Sequence, residues 1–234
     1  MCGMYKGKII TIEGADATGK STQLKLLIEA LKSKGYPIET MHFPRYDTPT
    51  GRKVRAYLNG EYGGLDEVDP KFASNLYAED RLAALPTFSK WLRQGEIVVF
   101  DRYIESNLGH QGAKFADAKK RKEMIDWMID VECRQMGLPP SDLVIYLSLP
   151  LDYILNAMAA DEGRKSVRDI HEGDRSHLIT AKETYDTLSK GKNWATIDCA
   201  PPHGTKRYTI KQIHENVMAT VESFLARNGL LQKD

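Results

Sequence analysis

The residues Gly14-Ala15-Asp16-Ala17-Thr18-Gly19-Lys20-Ser21 fit the pattern G-x-x-x-x-G-K-[ST], a spacing suited to wrapping a phosphate. Backbone N–H groups must surround the anion, and glycines let the chain approach it closely and take positive φ. A helix starting near Ser21 would aim its positive N-terminus at the same anion. Lys20 would bring a charge to the β- and γ-phosphates of a nucleoside triphosphate such as ATP. The Ser21 hydroxyl would ligate Mg²⁺, and Thr22 would complete the phosphate-binding stretch.

A triphosphate loop does not say what is done with the phosphate. No N-K-x-D guanine-reading motif occurs in the chain, which disfavours a regulatory GTPase, and 234 residues are few for a large motor or helicase. A small phosphotransferase fits, and its acceptor site must hold a second anion. Three arginines answer that need. Arg45 lies in Phe43-Pro44-Arg45-Tyr46, Arg81 in Glu79-Asp80-Arg81, and Arg102 in Asp101-Arg102-Tyr103. The planar guanidinium fork suits a phosphate or a base carbonyl better than an ammonium does.

The elements that must position these groups alternate between strand and helix. Lys8 to Glu13 reads as a buried strand running into Gly14. Leu24, Leu27, Ile28 and Leu31 recur at helical spacing up to the stop at Gly35. Ile38 to Phe43 is a second strand, ended by Pro44. Asp69-Pro70 caps a helix carrying Phe72, Leu76, Tyr77 and Arg81, and a further helix ends at Gly95. Ile97–Phe100, Leu143–Leu149 and Ala195–Asp198 are further strands. The last helix starts at the capping box Thr209-x-x-Gln212. This alternation predicts an α/β fold, a parallel sheet with helices on both faces. Arg45 and Arg102 then fall at carboxyl ends of strands, where open α/β sheets bind ligands. No Pro/Gly/Ser linker divides the chain, so a single domain is expected over 1–234. Residues 160–177 are charged and poor in large apolar side chains, which reads as a mobile surface segment.

Composition sets outer bounds. The chain is 41% hydrophobic and 28% charged, with 33 Lys+Arg against 32 Asp+Glu. That argues against wholesale disorder and against a globally basic nucleic-acid binder. No apolar run is long enough for a membrane helix, so no membrane partner is expected. The three cysteines are far apart in sequence, which suits a reducing, cytoplasmic setting.

Four blocks in order carry a resemblance. They are Ile12-Glu13-Gly14-Ala15-Asp16 with the loop, Phe43-Pro44-Arg45-Tyr46, Leu76-Tyr77-Ala78-Glu79-Asp80-Arg81, and Asp101-Arg102-Tyr103-x-x-Ser106-Asn107-x-x-His110-Gln111-Gly112. Over nearly its whole length the chain resembles the thymidylate kinases, P-loop nucleotide kinases that phosphorylate dTMP with ATP. The resemblance implies a P-loop NTPase architecture with a mobile lid, here about 160–177, and Mg²⁺ as cofactor. By the same token Arg45 and Arg102 would hold the acceptor 5′-phosphate, within a dTMP site that includes Phe43 and Tyr46. Asp16 would sit near the sugar 3′-hydroxyl and the metal, and Asp101 in the Mg²⁺ shell. Tyr77 would stack on thymine, Arg81 would reach a thymine carbonyl, and Asn107 or Gln111 another edge of the base. Tyr185 would close over the nucleoside. Some family members carry Arg where this chain has Ala17, so catalytic charge must come from elsewhere. Arg164 and Arg168, at i and i+4, resemble the lid arginines of one subclass. His110 stands where many relatives have Tyr or Phe beside the deoxyribose. The family is commonly homodimeric, and the helix around Met124, Trp127, Met128 and Val131 offers either an interface or core. The alternative activity is that of another P-loop nucleotide kinase or a deoxynucleoside kinase, although a neutral nucleoside would need no phosphate clamp.

Overall fold

The structure is a computed structural model that describes residues 5–15, 18–160, 175–202 and 206–230. Five strands, β1 (Lys8–Gly14), β2 (Ile38–His42), β3 (Ile97–Asp101), β4 (Leu143–Ser148) and β5 (Trp194–Asp198), form one sheet in the order β2-β3-β1-β4-β5. Every pairing is parallel. Apolar side chains therefore occupy both faces, and the period of two sorts them. Ile10, Ile12, Ile97 and Val99 point to one side, into a core shared with Leu27 and Leu31 of helix α1 (Lys20–Ser33) and Val217 and Phe224 of helix α8 (Ile210–Arg227). Ile9, Val98 and Phe100 point to the other side. They meet Phe88 and Leu92 of α3 (Pro70–Gln94) and Met124 and Met128 of α5 (Ala118–Ile129). The apolar side chains that could have formed an interface on α5 are thus largely spent on the chain's own core. A π-helical stretch, Asp130–Gln135, continues that helix.

The remaining helices are α2 (Pro49–Leu58), α4 (Ile104–Gly112), α6 (Leu151–Ala160) and α7 (Arg175–Leu188). The α2 helix, which the apolar pattern does not announce, begins at Thr48, whose hydroxyl accepts from Gly51 N, with Pro49 in the first turn. Where the sequence suggests two helices between Asp69 and Gly95, there is one of 25 residues with Pro86 inside it. Pro86 cannot donate to the Leu82 carbonyl, but Leu82 is exposed, so solvent can serve that carbonyl and the helix continues. Residue 160 closes α6, and Arg175–His177 already form the first turn of α7 with His177 buried. Residues 161–174, with Arg164 and Arg168, lie outside the described residues, as do Asp16 and Ala17.

Candidate active site

The functional side chains gather at the carboxyl edge of the sheet, in two adjoining recesses. The first is a cleft of about 420 Å³ lined by Gly19, Lys20, Ser21, Thr22, His42, Asp101 and Arg102. Gly19 caps α1 at φ 94, a left-handed turn that glycine makes without steric cost. It starts α1 where the helix N-terminus lines the cleft. The Lys20 ammonium lies back over the loop, donating to the carbonyls of Gly14 at 2.7 Å and Ala15 at 3.0 Å. Asp101 sits at the end of β3, its Oδ2 3.1 Å from His42 Nδ1. Burial works to raise its carboxyl, but the His42 ring and the charges of Arg102 and Lys20 carry it below the usual carboxylate range. An ionised carboxylate and the Ser21 hydroxyl beside a phosphate loop are hard oxygen donors. They fit Mg²⁺, which takes few protein ligands and completes its shell with water and phosphate oxygens. Among the described residues no group of three or more His, Cys, Asp or Glu could hold a metal by itself.

The second recess is a narrower cavity of about 150 Å³. Phe43, Pro44 and Tyr46 form one wall, and Tyr77 and Arg81 of α3 a second. Ser106, Asn107, His110 and Gln111 of α4 form a third, and Leu178 of α7 closes the side. Arg102 lines both recesses. It has φ 63, the one described non-glycine residue at positive φ, a conformation that costs on the order of 1 kcal/mol or more. Its Nη1 lies 3.5 Å from both Ser106 Oγ and His110 Nε2.

The polar groups of this cavity differ in how far they are committed. Gln111 is wholly buried, and neither Oε1 nor Nε2 has a hydrogen-bond partner among the described residues. Asn107 Nδ2 is held by Ser74 and by Glu132 Oε1, while its Oδ1 has no such partner. Two adjacent buried amides thus keep hydrogen-bonding capacity on a cavity wall, where an unmet polar group is costly. Arg81 is more occupied than expected. Nε and Nη2 bind Glu132 in a fork at 2.6 and 2.7 Å, and Nη1 donates to the Tyr103 carbonyl. Three of its five N–H groups are engaged, and the partner comes from the π-helical stretch rather than from Asp80 or Glu79.

Asp80 instead holds Arg45. Its carboxylate accepts from Arg45 N, Nε and Nη2 and from the Thr48 and Thr50 hydroxyls. Arg45 is absent from the cavity wall, whereas the neighbouring Tyr46 is on it, beneath the Arg55 guanidinium at 4.8 Å. Tyr185 is likewise not on the wall. Its ring stacks on Tyr146 at 5.4 Å and packs against Gly109, where a Cβ would collide with the ring. Its hydroxyl donates to Glu13 Oε2 at 3.1 Å. The reason is chemical: Glu13 is completely buried, and a buried carboxylate draws every donor within reach.

Four residues escape the sequence reading. Glu13 and Ser106 stand inside quoted motifs, but nothing in their types singles them out. His42 precedes Phe43-Pro44 and looks like one polar residue of a strand. Arg207 comes from the connection between β5 and α8, and its Nη2 donates to the Thr18 carbonyl of the phosphate loop at 2.7 Å. Nearby, Gln23 of α1 donates to the Ile210 carbonyl at 3.0 Å. Between β5 and Arg207, residues 199–202 and 206 are described, with Cys199 and Ala200 buried.

Comparison with known proteins bears on the same residues. The family model described as Thymidylate kinase matches residues 12–209. Human thymidylate kinase is 29% identical over 221 residues, covering 93% of this chain and 91% of that protein. A probable thymidylate kinase of Caldivirga maquilingensis is 30% identical over 193 residues, covering 82% and 85%. Among solved structures, thymidylate kinase from Candida albicans superposes with a TM-score of 0.68 at 24% identity, covering 95% of this chain and 93% of that one. At that identity the superposition speaks for the fold, the parallel-sheet P-loop architecture.

Proposed function

The chain belongs to the thymidylate kinase family, and from that premise we propose how its own residues pass the γ-phosphoryl group of ATP to dTMP. The observation that carries the reading is Arg102, which faces the phosphate-loop cleft and the amide-lined cavity at once. The cleft takes ATP, with its phosphates on the loop amides, Lys20, Ser21 and Thr22. The cavity takes dTMP, its base toward Gln111 and Asn107 and its phosphate toward Arg102. A pyrimidine imide edge offers one N–H and two carbonyls, which complement a carboxamide.

In the transfer, a phosphate oxygen of dTMP attacks the γ-phosphorus as the bond to the β–γ bridging oxygen breaks, and ADP leaves. The attacking oxygen is already anionic, so no strong base is needed, and catalysis is alignment plus charge neutralisation. Lys20 follows the charge on the donor side. Arg102, between donor and acceptor, meets charge that grows on the equatorial oxygens. Bound Mg²⁺, held by the Ser21 hydroxyl and the Asp101 carboxylate, would supply further charge neutralisation to the β- and γ-oxygens. Tyr77 and Phe43 border the base, and Arg81 stiffens that wall through Glu132 while turning its remaining N–H groups to a carbonyl. Arg45, tied to Asp80, orients the turn that presents Tyr46 to the acceptor phosphate. Asp16 belongs near the sugar and the metal by its place in the loop, and Arg164 and Arg168 supply lid charge by theirs.

We also infer a cytoplasmic homodimer. Free thiols at Cys133 and Cys199 suit a reducing compartment, and family habit suggests the dimer, which light scattering of the purified protein tests. No described helix is long and apolar enough to cross a membrane.

The deciding experiment measures ADP release from ATP and Mg²⁺ with dTMP, dUMP, dCMP, dGMP and thymidine offered separately. Rapid release with dTMP and little with thymidine is expected. Equal or faster turnover of thymidine would mean that the second anion site has been misread.

A further inference from the structure

Arg102 has an unusual backbone and a side chain that must stand between two polyanions without collapsing onto either. Something must aim it. Besides Asp101 in the cleft, it has acidic support that lies in neither recess. Glu13, on β1 one residue before Gly14, is completely buried and belongs to neither wall, so it cannot touch either nucleotide. Its carboxylate collects donors from two other elements. Tyr103 N donates to Oε1 at 3.2 Å, and Ser106 Oγ lies 2.8 Å from both oxygens. The Tyr185 hydroxyl of α7 donates to Oε2 at 3.1 Å.

Two of these contacts act on Arg102 from opposite ends. The Tyr103 N–H belongs to the peptide that follows Arg102, so Glu13 fixes the backbone at the point where φ is 63. The Ser106 hydroxyl has a single proton and gives it to Glu13. Its oxygen is then turned to accept from Arg102 Nη1, 3.5 Å away. A guanidinium only donates and a carboxylate only accepts, so the order of the chain is fixed: guanidinium to hydroxyl to carboxylate. Burial raises the Glu13 carboxyl above the usual range, opposed first by Arg102, then by Ser106 and Lys20. The same carboxylate is thus the electrostatic partner of the acceptor-side arginine and of the donor-side lysine.

We propose that Glu13 and Ser106 are positioning residues of the transfer reaction: the buried carboxylate, through the Ser106 hydroxyl and the Tyr103 amide, locks Arg102 in its left-handed turn and aims its guanidinium between donor and acceptor. Because Glu13 immediately precedes the phosphate loop, this relay sets the distance from the loop to the arginine. Through Tyr185 it also joins α7 to the same carboxylate. The inference rests on the role given above to Arg102.

Ser106→Ala removes the relay while leaving the buried carboxylate its other two donors, so the fold should survive. Glu13→Gln tests the carboxylate itself, and Ser106→Thr keeps a hydroxyl in place. For each protein kcat, the KM for ATP, the KM for dTMP, calorimetric dTMP affinity and the melting temperature are measured. Ser106→Ala is expected to lower kcat about tenfold or more and to weaken dTMP binding severalfold. Its KM for ATP should stay within twofold, and its melting temperature within a few degrees of the parent. Glu13→Gln should lose more kcat in the same pattern, and Ser106→Thr should recover most of what alanine loses. The relay is refuted if Ser106→Ala is stable and keeps parental kcat and dTMP affinity, or if threonine is no better than alanine. Failure of the functional reading looks different, because the unaltered protein would then release no ADP with dTMP. Calorimetric dTMP binding across the variants would still read the relay in that case.

Discussion

Single side chains set the choice of acceptor, and among pyrimidine monophosphates that choice is expected to rest on the cavity's amides, charge having already selected a phosphate. Gln111 presents a buried donor and a buried acceptor to the cavity, with no partner for either among the described residues. A site built to hydrogen-bond its ligand loses much when the group is removed. Gln111→Leu is therefore expected to raise the KM for dTMP at least tenfold and to blunt preference among pyrimidine monophosphates, with the KM for ATP unchanged. Steady-state assays with each nucleotide varied in turn check this, and an unaltered KM for dTMP would remove Gln111 from the base site. A second residue-scale expectation concerns charge. With Ala17 in the loop, equatorial charge beyond Arg102 is expected to come from Arg164 and Arg168. Their double alanine variant should lower kcat by tenfold or more while calorimetric dTMP affinity stays within about twofold. Sequence could nominate these residues because Gly, Lys, Arg and amide types at fixed spacing carry their chemistry openly. It could not assign partners. Arg45 and Arg81 look alike as candidate clamps, yet Asp80 and Glu132 take most of their hydrogen bonds. Those acids are distant in sequence or hidden among surface-type charges.

At the scale of elements, the apolar pattern is sufficient to read the central strands β1, β3 and β4, which are apolar runs buried on both faces, and the helices α1, α3, α5 and α8, whose apolar residues repeat near 3.6, while the half-exposed edge strands β2 and β5 carry a weaker signal. It fails where position depends on a local exchange. Pro86 would ordinarily end a helix, but its lost hydrogen bond falls on an exposed turn. The α2 helix is set by Thr48 and Pro49 rather than by an apolar stripe. Connections carry the weakest pattern, and one of them reaches the phosphate loop. Arg207 reaches from the β5–α8 connection to the Thr18 carbonyl, with Gln23–Ile210 beside it, so α1 and the start of α8 are held together at the phosphate loop. The guanidinium ties down the loop and would add positive charge near a triphosphate bound there. Arg207→Ala should raise the KM for ATP severalfold and leave the KM for dTMP within twofold. Equal changes in both constants would point to general loosening of the fold instead.

Over the whole molecule, the two recesses stand on a layer of buried charge that holds the site together at a cost to stability. Glu13, Glu105 and Glu132 are all essentially inaccessible, with Arg81 buried among them and Arg102 at the edge. Glu105 bears the clearest cost. Burial, and then the neighbouring charge of Glu13, push its carboxyl from 4.5 up to about 7, and its Oε2 has no hydrogen-bond partner among the described residues. A carboxyl raised on folding binds its proton more tightly in the native state. The native protein thus gains full benefit below the unfolded value, and that benefit is lost as pH rises through the folded one. Between about pH 4.5 and 7 its contribution should fall by no more than about 1.4 kcal/mol per pH unit, on the order of 1–3 kcal/mol in all. Glu105→Gln keeps the shape and removes the titration. The free energy of urea unfolding, measured for both proteins at pH 5.5, 6.5, 7.5 and 8.5, reads this group together with its coupling to Glu13, since the titrations remote from it are common to the pair. The variant should gain on the parent as pH rises and level off above pH 8. A constant difference across the series would mean that Glu105 ionises as readily in the folded chain as in the unfolded one. The cost of the charged layer would then have to lie in Glu13, the carboxylate that aims Arg102.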